Sequence, residues 1–304
     1  MNRNIIDAIG TLLKRHPFYL NDPYSNENSL RSARYWSIEE YVKNLFADTF
    51  HFTNRTEKIS RWGDVFHIGN AINPPDLMLR GGDAIEIKNV YIPERINEDT
   101  YAIDIYGYKT KYLYSPLVLN TVYPRQKLFV DDPLVTNSCC KAEKWTEKDI
   151  IYAVGVSKGK QLTHFCMVYG CDYCASSEHY KKILQEMRAR LQDIPNFDFN
   201  LSYERELGRI SAIDPTGTTR LNLRNMWHIE NPWSFFRYVY RPNRNAKFNF
   251  MCIIRNEKFF RFRNSSKLLA WREICSDLII EQVRIKDPDN PNRMNDALLI
   301  RYEI

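Results

Sequence analysis

Two acidic residues and a lysine between positions 76 and 88 carry the chemistry that the sequence indicates most strongly. Pro75 precedes Asp76, and Glu86-Ile87-Lys88 follows after nine intervening residues. Mg²⁺ prefers carboxylate and carbonyl oxygens, and it supports phosphodiester cleavage by neutralising the phosphate and lowering the pKa of an attacking water. Asp76, Glu86 and the carbonyl of Ile87 are therefore the predicted metal ligands. Lys88 is predicted to orient the water and to stabilise the negative charge that develops.

A β-hairpin would bring these groups to one place. Residues 77–79 are apolar, residues 80–83 (RGGD) have turn composition, and residues 84–88 alternate between apolar and charged side chains. Because successive side chains of a strand point to opposite faces, Glu86 and Lys88 should share one face. The alternative is a surface hairpin whose Glu and Lys are merely solvated.

The elements around this hairpin predict a mixed sheet with helices. Residues 38–49 have helical apolar spacing, and Ser37 and Glu40 have the spacing of a capping box. Further helices are predicted at 178–194 and 265–279. Strands are predicted at 150–156, 164–170, 218–224, 247–254, 258–263 and 297–303. Since strands and helices mix without strict βαβ alternation, we expect an α/β (α+β) fold rather than a doubly wound sheet.

The composition restricts the class of protein. The chain has 304 residues, a net charge of +6 and only 11 glycines, which disfavours a glycine-rich nucleotide-binding fold and permits an anionic partner. No apolar run is long enough to span a bilayer, and no signal peptide is recognised. Seven cysteines, an odd number, fit a reduced cytoplasmic protein. Cys171 and Cys174 could form half a zinc site, but inert thiols are favoured because no second ligand pair accompanies them.

The hairpin segment resembles the core of the NgoPII-type restriction endonucleases, a type II family of the PD-(D/E)xK nuclease superfamily. The resemblance rests on NPPDLMLRGGDAIEIK (73–88) and continues in the same order through most of the chain. The further matching blocks are SIEEYVKNLFADTF (37–50), YPRQKLFVDDP (123–133), DIIYAVGV (149–156), VYGCDYC (168–174), ELGRISAIDP (206–215) and MWHIENP (226–232).

This resemblance implies a restriction-endonuclease-like core in which a mixed sheet is flanked by helices. We expect one domain over residues 1–304, with the catalytic core at about 30–195 and a strand-rich C-terminal elaboration at about 196–304. The resemblance also implies Mg²⁺ dependence, double-stranded DNA as substrate, a homodimer, a palindromic GGCC site and a companion DNA methyltransferase. Asp76, Glu86 and Lys88 match the family's catalytic positions. Glu39 is the expected helix acid, and Glu40 is its rival.

Base contacts are expected from two segments. Asn120, Thr121 and Arg125 follow the catalytic strand, and Arg220 and Arg224 alternate with leucines on a later predicted strand. Arginine can read guanine through O6 and N7, as a G·C-rich site requires. The alternative for the later pair is a solvated strand face.

Three features outside the hairpin leave the specificity and other contacts open. Residues 91–115 are longer than the family pattern, and Val122 stands where a small hydroxyl residue is expected. These departures put the recognition sequence in doubt. His228 could touch DNA, although a packed, hydrogen-bonded histidine is favoured.

Two other functions remain open at the level of sequence. One is a structure-selective repair or recombination nuclease on the same core. The other is a sequence-specific DNA-binding protein without catalytic activity, whose hairpin only resembles a nuclease site.

Overall fold

The computed structural model describes residues 3–20, 30–69, 73–92, 115–120, 122–135, 143–158, 160–194, 197–198, 206–211 and 213–304. For residues 30–37 and for Asn120, Glu206 and Arg224, only the backbone is described. No helix in these ranges is both long and apolar enough to cross a membrane.

The described residues form eight helices and fourteen strands. The helices are α1 (Ile5–Arg15), α2 (Leu30–Ala47), α3 (Arg55–Val65), α4 (Gly170–Tyr173), α5 (Ser177–Leu191), α6 (Pro232–Phe235), α7 (Asn256–Arg261) and α8 (Ser265–Arg272). The strands are β1 (Phe66–Ile68), β2 (Leu77–Leu79), β3 (Ala84–Ile92), β4 (Leu117–Asn120), β5 (Lys127–Phe129), β6 (Glu147–Lys158), β7 (Gln161–Tyr169), β8 (Phe197–Asp198), β9 (Glu206–Ile210), β10 (Leu221–Arg224), β11 (Met226–Ile229), β12 (Asn249–Arg255), β13 (Leu278–Lys286) and β14 (Met294–Glu303).

A large mixed sheet organises the fold. Its strand order is β1-β2-β3-β6-β7-β12-β14-β13, and β5 pairs with β6 at its side. The pairs β3–β6 and β7–β12 are parallel, and the other pairs are antiparallel. Two small sheets, β10-β9-β8 and β11-β4, lie outside it. This arrangement confirms the mixed α/β fold expected from the sequence.

The two faces of the sheet carry separate hydrophobic cores. Ile85 and Ile87 of β3 belong to the core that α1 and α2 cover. Ala84 belongs to the opposite core, which includes Trp233 and Phe236 from α6 and the residue after it. Strand alternation therefore places Glu86 and Lys88 on the face opposite Ile85 and Ile87, as the sequence pattern predicts.

The predicted hairpin is confirmed. β2 pairs antiparallel with β3, with Leu77 opposite Ile85 and Met78 opposite Ala84. The Pro74–Pro75 peptide bond before β2 is cis. Gly81 in the turn has a φ of 62°, a left-handed conformation in which glycine avoids the steric cost of a Cβ.

Helix α2 differs from its prediction at the N-terminus. It begins at Leu30 rather than residue 38, so Ser37 lies inside the helix and the capping-box interpretation was wrong. Serine costs only a few tenths of a kcal/mol inside a helix, so a local cap signal did not determine where α2 begins.

Other corrections concern the C-terminal third. Residues 258–263 were predicted as a strand, but residues 256–261 form α7. The predicted helix at 265–279 ends at Arg272, and the strand β13 follows from Leu278. Short apolar runs fit either period, and here the tertiary neighbours β12 and β14 decide between helix and strand.

Candidate active site

Asp76 is fixed against the catalytic strand by a backbone contact. The Ile87 N–H donates to Asp76 Oδ2 at 2.6 Å. The pairing of β2 with β3 ends at the Leu77–Ile85 pair, and beyond it the Asp76 side chain accepts the Ile87 N–H. Because N–H and C=O of one strand residue point to the same neighbour, the Ile87 carbonyl also points to the Asp76 side. The role of Asp76 and of this carbonyl as metal ligands stays a prediction.

Glu86 and Lys88 share one face of β3 and contact each other. Lys88 Nζ donates to Glu86 Oε1 at 2.5 Å, and Glu86 is buried, with 6% of its surface exposed. Its other oxygen, Oε2, is buried without a hydrogen-bond partner among the described residues. A buried carboxylate oxygen in this state is costly unless a cation or donor joins it.

Three carboxylates act on one another electrostatically. The pKa of Asp76 is raised to about 7, first by burial and then by the negative charge of Glu86, with a smaller contribution from Glu39. The Lys88 ammonium and the Ile87 N–H oppose the shift. The site therefore concentrates negative charge, which a bound cation would relieve.

Helix α2 presents Glu39 rather than Glu40 towards Asp76. Glu39 contributes to the raised pKa of Asp76, and Lys43 Nζ donates to Glu39 Oε1. Glu40 Oε1 instead accepts from Lys58 Nζ of α3 at 2.6 Å. This placement favours Glu39 as the helix acid, and its role stays a prediction.

The segment after β4 packs over Glu86. A small cavity is bounded by Glu86, Leu119, Tyr123 and Tyr152, together with Pro74, Val122, Arg125 and Ile150. Tyr152 lies opposite Glu86 in the parallel β3–β6 pair. The segment that the sequence predicted to face DNA therefore lies beside the catalytic strand.

Arg125, a predicted base-contacting residue, is not exposed on the surface of the protein. It is buried, with 2% of its surface exposed, and its Nε and Nη2 donate to Asp132 Oδ2 at 3.2 and 3.0 Å. The guanidinium also lies 4.5 Å from the ring centroid of Tyr123. A base contact by Arg125 would require this ion pair to open, so the structure favours a structural role.

The other predicted DNA contacts are only partly described. Arg220 is exposed and immediately precedes β10, and the side chain of Arg224 lies outside the described residues, so the expected common face of the two arginines stays a prediction. Leu221 is itself 46% exposed, so this short strand buries no leucine face there. Asn120 ends β4, and Thr121 lies outside the described residues.

A group of residues that the sequence analysis missed anchors the turn of the catalytic hairpin. Lys258 Nζ of α7 contacts both Asp83 Oδ1, at 3.3 Å, and Asp149 Oδ2. The Tyr169 hydroxyl donates to Asp83 Oδ2 at 2.8 Å. On the other side Glu143 Oε1 accepts from the Gly81 N–H at 2.7 Å. These partners come from distant parts of the chain, so no local pattern could reveal them.

An α+β nuclease-like fold is the class that the mixed sheet, flanking helices and acidic hairpin define. The sequence profile of the NgoPII restriction endonuclease family matches residues 3–96 and 89–286. The chain belongs to this family. It is 43% identical over 303 residues to the type II restriction enzyme NgoPII of Neisseria gonorrhoeae, covering 99% of this chain and 100% of that protein. No solved structure matches the chain significantly.

Proposed function

We propose that this protein is a type II restriction endonuclease that hydrolyses double-stranded DNA with Mg²⁺ at Asp76, Glu86 and Lys88. The observation that supports this most directly is the hydrogen bond from the Ile87 N–H to Asp76 beside the buried Glu86, whose Oε2 has no hydrogen-bond partner in the part of the chain that the structure describes. The full-length similarity to the type II restriction enzyme NgoPII supports the activity and the DNA substrate.

The residues present fit a hard divalent cation. Asp76, Glu86 and the Ile87 carbonyl offer only oxygen donors, the ligands that Mg²⁺ prefers. Within the described residues, no three His, Cys, Asp or Glu side chains are grouped closely enough to hold a metal by themselves. Two carboxylates and one carbonyl therefore make up the proposed protein shell, with the remaining positions left to water and a DNA phosphate oxygen. When bound, the ion supplies a Lewis acid and lowers the pKa of water.

Four residues, Asp76, Glu86, Lys88 and Glu39, each have a defined task in the proposed reaction. Asp76 and Glu86 would hold the cation, and Lys88 would orient the water that attacks phosphorus. Lys88 also stabilises the added negative charge of the phosphorane-like transition state. Hydrolysis then breaks the bond to the 3′ oxygen and leaves a 5′-phosphate and a 3′-hydroxyl. Glu39 is proposed to support the site from α2.

We also propose a homodimer and a palindromic GGCC site, both carried over from the family resemblance. A twofold-symmetric dimer matches a palindrome, since each protomer can cut one strand. A companion methyltransferase in the cell would protect host DNA from such an enzyme, and cytoplasmic location follows from that role.

The experiment that tests the catalytic proposal is plasmid digestion with purified variants. Asp76→Ala and Lys88→Ala should each lower the cleavage rate by at least about 100-fold, because each removes a group that acts on the transition state. Asp64→Ala and Lys267→Ala change exposed residues of the same types and should cut normally. Circular dichroism checks that all four variants fold.

Three results would refute this assignment. They are full activity of Asp76→Ala, full activity of Lys88→Ala, and undiminished wild-type cutting in excess EDTA. Sequencing the cut ends then distinguishes sequence-dependent cleavage from the cleavage pattern of a structure-selective nuclease.

A further inference from the structure

Strands β4 and β11 form a two-stranded antiparallel ribbon that lies outside the main sheet. Asn120 lies opposite Met226, and Val118 lies opposite His228. The two strands come from segments about a hundred residues apart, so the pairing joins two blocks that the sequence presents separately. One of the predicted base-contacting residues, Asn120, is part of this ribbon.

The ribbon has a packed face and an exposed face. On the packed face, Leu117 and Leu119 are buried and Ile229 packs against the second hydrophobic core. On the other face, Val118 is 44% exposed, Met226 is 61% exposed, and His228 is exposed as well. The packed-histidine interpretation of His228 was therefore wrong. Strand alternation explains the division, because Val118, Met226 and His228 occupy alternate positions.

The ribbon is continuous with the candidate active site. Leu119 of the packed face lines the same small cavity as Glu86. Trp227 contacts Tyr123, with ring centroids 6.3 Å apart, and Tyr123 lines that cavity too. The packed face of the ribbon therefore borders the candidate active site.

Two of the predicted arginines lie on the same stretch of chain as the ribbon. Arg224 ends β10, two residues before Met226 begins β11, and Arg220 lies just before β10. A fully extended segment from residue 220 to 229 would reach at most about 30 Å at roughly 3.3 Å per residue. Arg220 places an exposed basic group at one end of this segment, and the neutral, exposed face of the strand pair lies at the other.

We propose that the exposed face of the β4–β11 ribbon enters the major groove and that His228 and Met226 determine specificity there. This inference rests on the proposed nuclease function. The major groove is about 12 Å wide and admits a two-stranded ribbon. Phosphate contacts come mainly from charged or hydrogen-bonding groups, whereas base edges are read by hydrogen bonds and apolar contacts. The imidazole of His228 can donate to guanine O6 or N7, and Met226 can contact a pyrimidine C5 edge.

A cleavage assay on a pool of duplexes with a randomised central segment tests the proposal without assuming the site. Wild type, His228→Ala and Met226→Ala are each digested with Mg²⁺, and the cut and uncut molecules are sequenced. His51→Ala and Ile274→Ala serve as matched controls, since both residues are exposed and lie on elements away from the ribbon. Urea unfolding verifies that every variant folds.

The expected result is a change in which base pairs are preferred among the cut duplexes, rather than a general loss of cleavage. His228→Ala should lower discrimination at one base-pair position by at least about fivefold, and Met226→Ala should lower it at a different position. His228→Asn, which keeps a donor, should retain more discrimination than His228→Ala. Both control variants should reproduce the wild-type profile.

Three contrary results have different meanings. If both ribbon variants keep the wild-type preference at every position, the ribbon does not read bases, while the nuclease assignment stands. If the wild type cuts nothing with Mg²⁺, the proposed function fails and this inference fails with it. A uniform loss for all sequences would also overturn the inference, because it would indicate phosphate contacts.

Discussion

The placement of Arg125 gives a quantitative test of whether this arginine reads DNA or stabilises the fold. Arg125→Ala removes two hydrogen bonds to Asp132 and the contact with the Tyr123 ring. Breaking a buried ion pair by removing one partner costs about 3–5 kcal/mol when the remaining charge is left uncompensated. Asp132 is less isolated than that, because it is 15% exposed and its Oδ1 accepts from the Leu134 N–H at 2.8 Å.

This partial solvation lowers the expected cost of the stranded carboxylate to about 2–3 kcal/mol. The lost cation–π contact adds about 0.5–1 kcal/mol. We therefore expect Arg125→Ala to lower the free energy of unfolding by about 2.5–4 kcal/mol, a large part of the total of about 5–15 kcal/mol typical of proteins. Urea unfolding monitored by circular dichroism measures this change.

A double variant separates the charge from the packing. Arg125→Met combined with Asp132→Asn removes both charges and should be more stable than Arg125→Met alone, because no carboxylate is left stranded. Arg220→Ala is the matched control, since Arg220 is exposed, and it should unfold like wild type. The structural interpretation would be refuted if Arg125→Ala kept wild-type stability and lost discrimination between the preferred site and its single-base variants.

Three further predictions concern the acidic site and its anchor. Because the pKa of Asp76 is raised to about 7, Mg²⁺ competes with a proton for this carboxylate below that pH. The affinity for the metal should therefore weaken by about tenfold per pH unit below 7. Metal activation curves from pH 5.5 to 8 measure this affinity, and an affinity that does not change with pH would contradict the prediction. Without metal, the folded state retains this proton between about pH 4 and 7 while the unfolded state loses it, so stability should fall as pH rises through that window. Asp76→Asn should make this slope shallower, and the raised pKa of Asp172, about 6, accounts for part of the slope that is left. Lys258→Met leaves Asp83 and Asp149 without their shared cation, and it should lower kcat by about tenfold with little change in KM for DNA. Lys258→Arg should restore kcat. If Lys258→Met and Lys258→Arg lose stability equally and neither changes kcat, Lys258 does not position the site.

The hairpin and its candidate site could be predicted from the sequence because all of their signals are local. The turn residues, the alternation in β3 and the Asp76 to Lys88 spacing lie within 13 consecutive residues, so one pattern contains the whole element. The same holds for the buried strand β6, whose apolar run allows few other structures.

The sequence did not reveal the features that depend on distant partners. The burial of Arg125 depends on Asp132 and Tyr123, and arginine alone looks the same whether it is paired inside or exposed to DNA. The exposure of His228 follows from the pairing of β11 with β4, which places this residue on the outer face of the ribbon. Strand pairing between segments this far apart is set by tertiary packing, which periodicity cannot report.

The contact between Lys258 and Asp83 has a consequence for the moment at which the enzyme matures during synthesis. The two residues are 175 positions apart in the chain. At about 5–20 residues per second, a ribosome takes on the order of 9–35 s to add Lys258 after Asp83. A nascent chain can already contact the turn through Glu143 and Tyr169 during this interval, but the cation that Asp83 shares with Asp149 arrives only with Lys258. We expect the growing polypeptide to reach full activity on nearby DNA only after Lys258 has left the ribosome, because the last anchor of the hairpin is then in place.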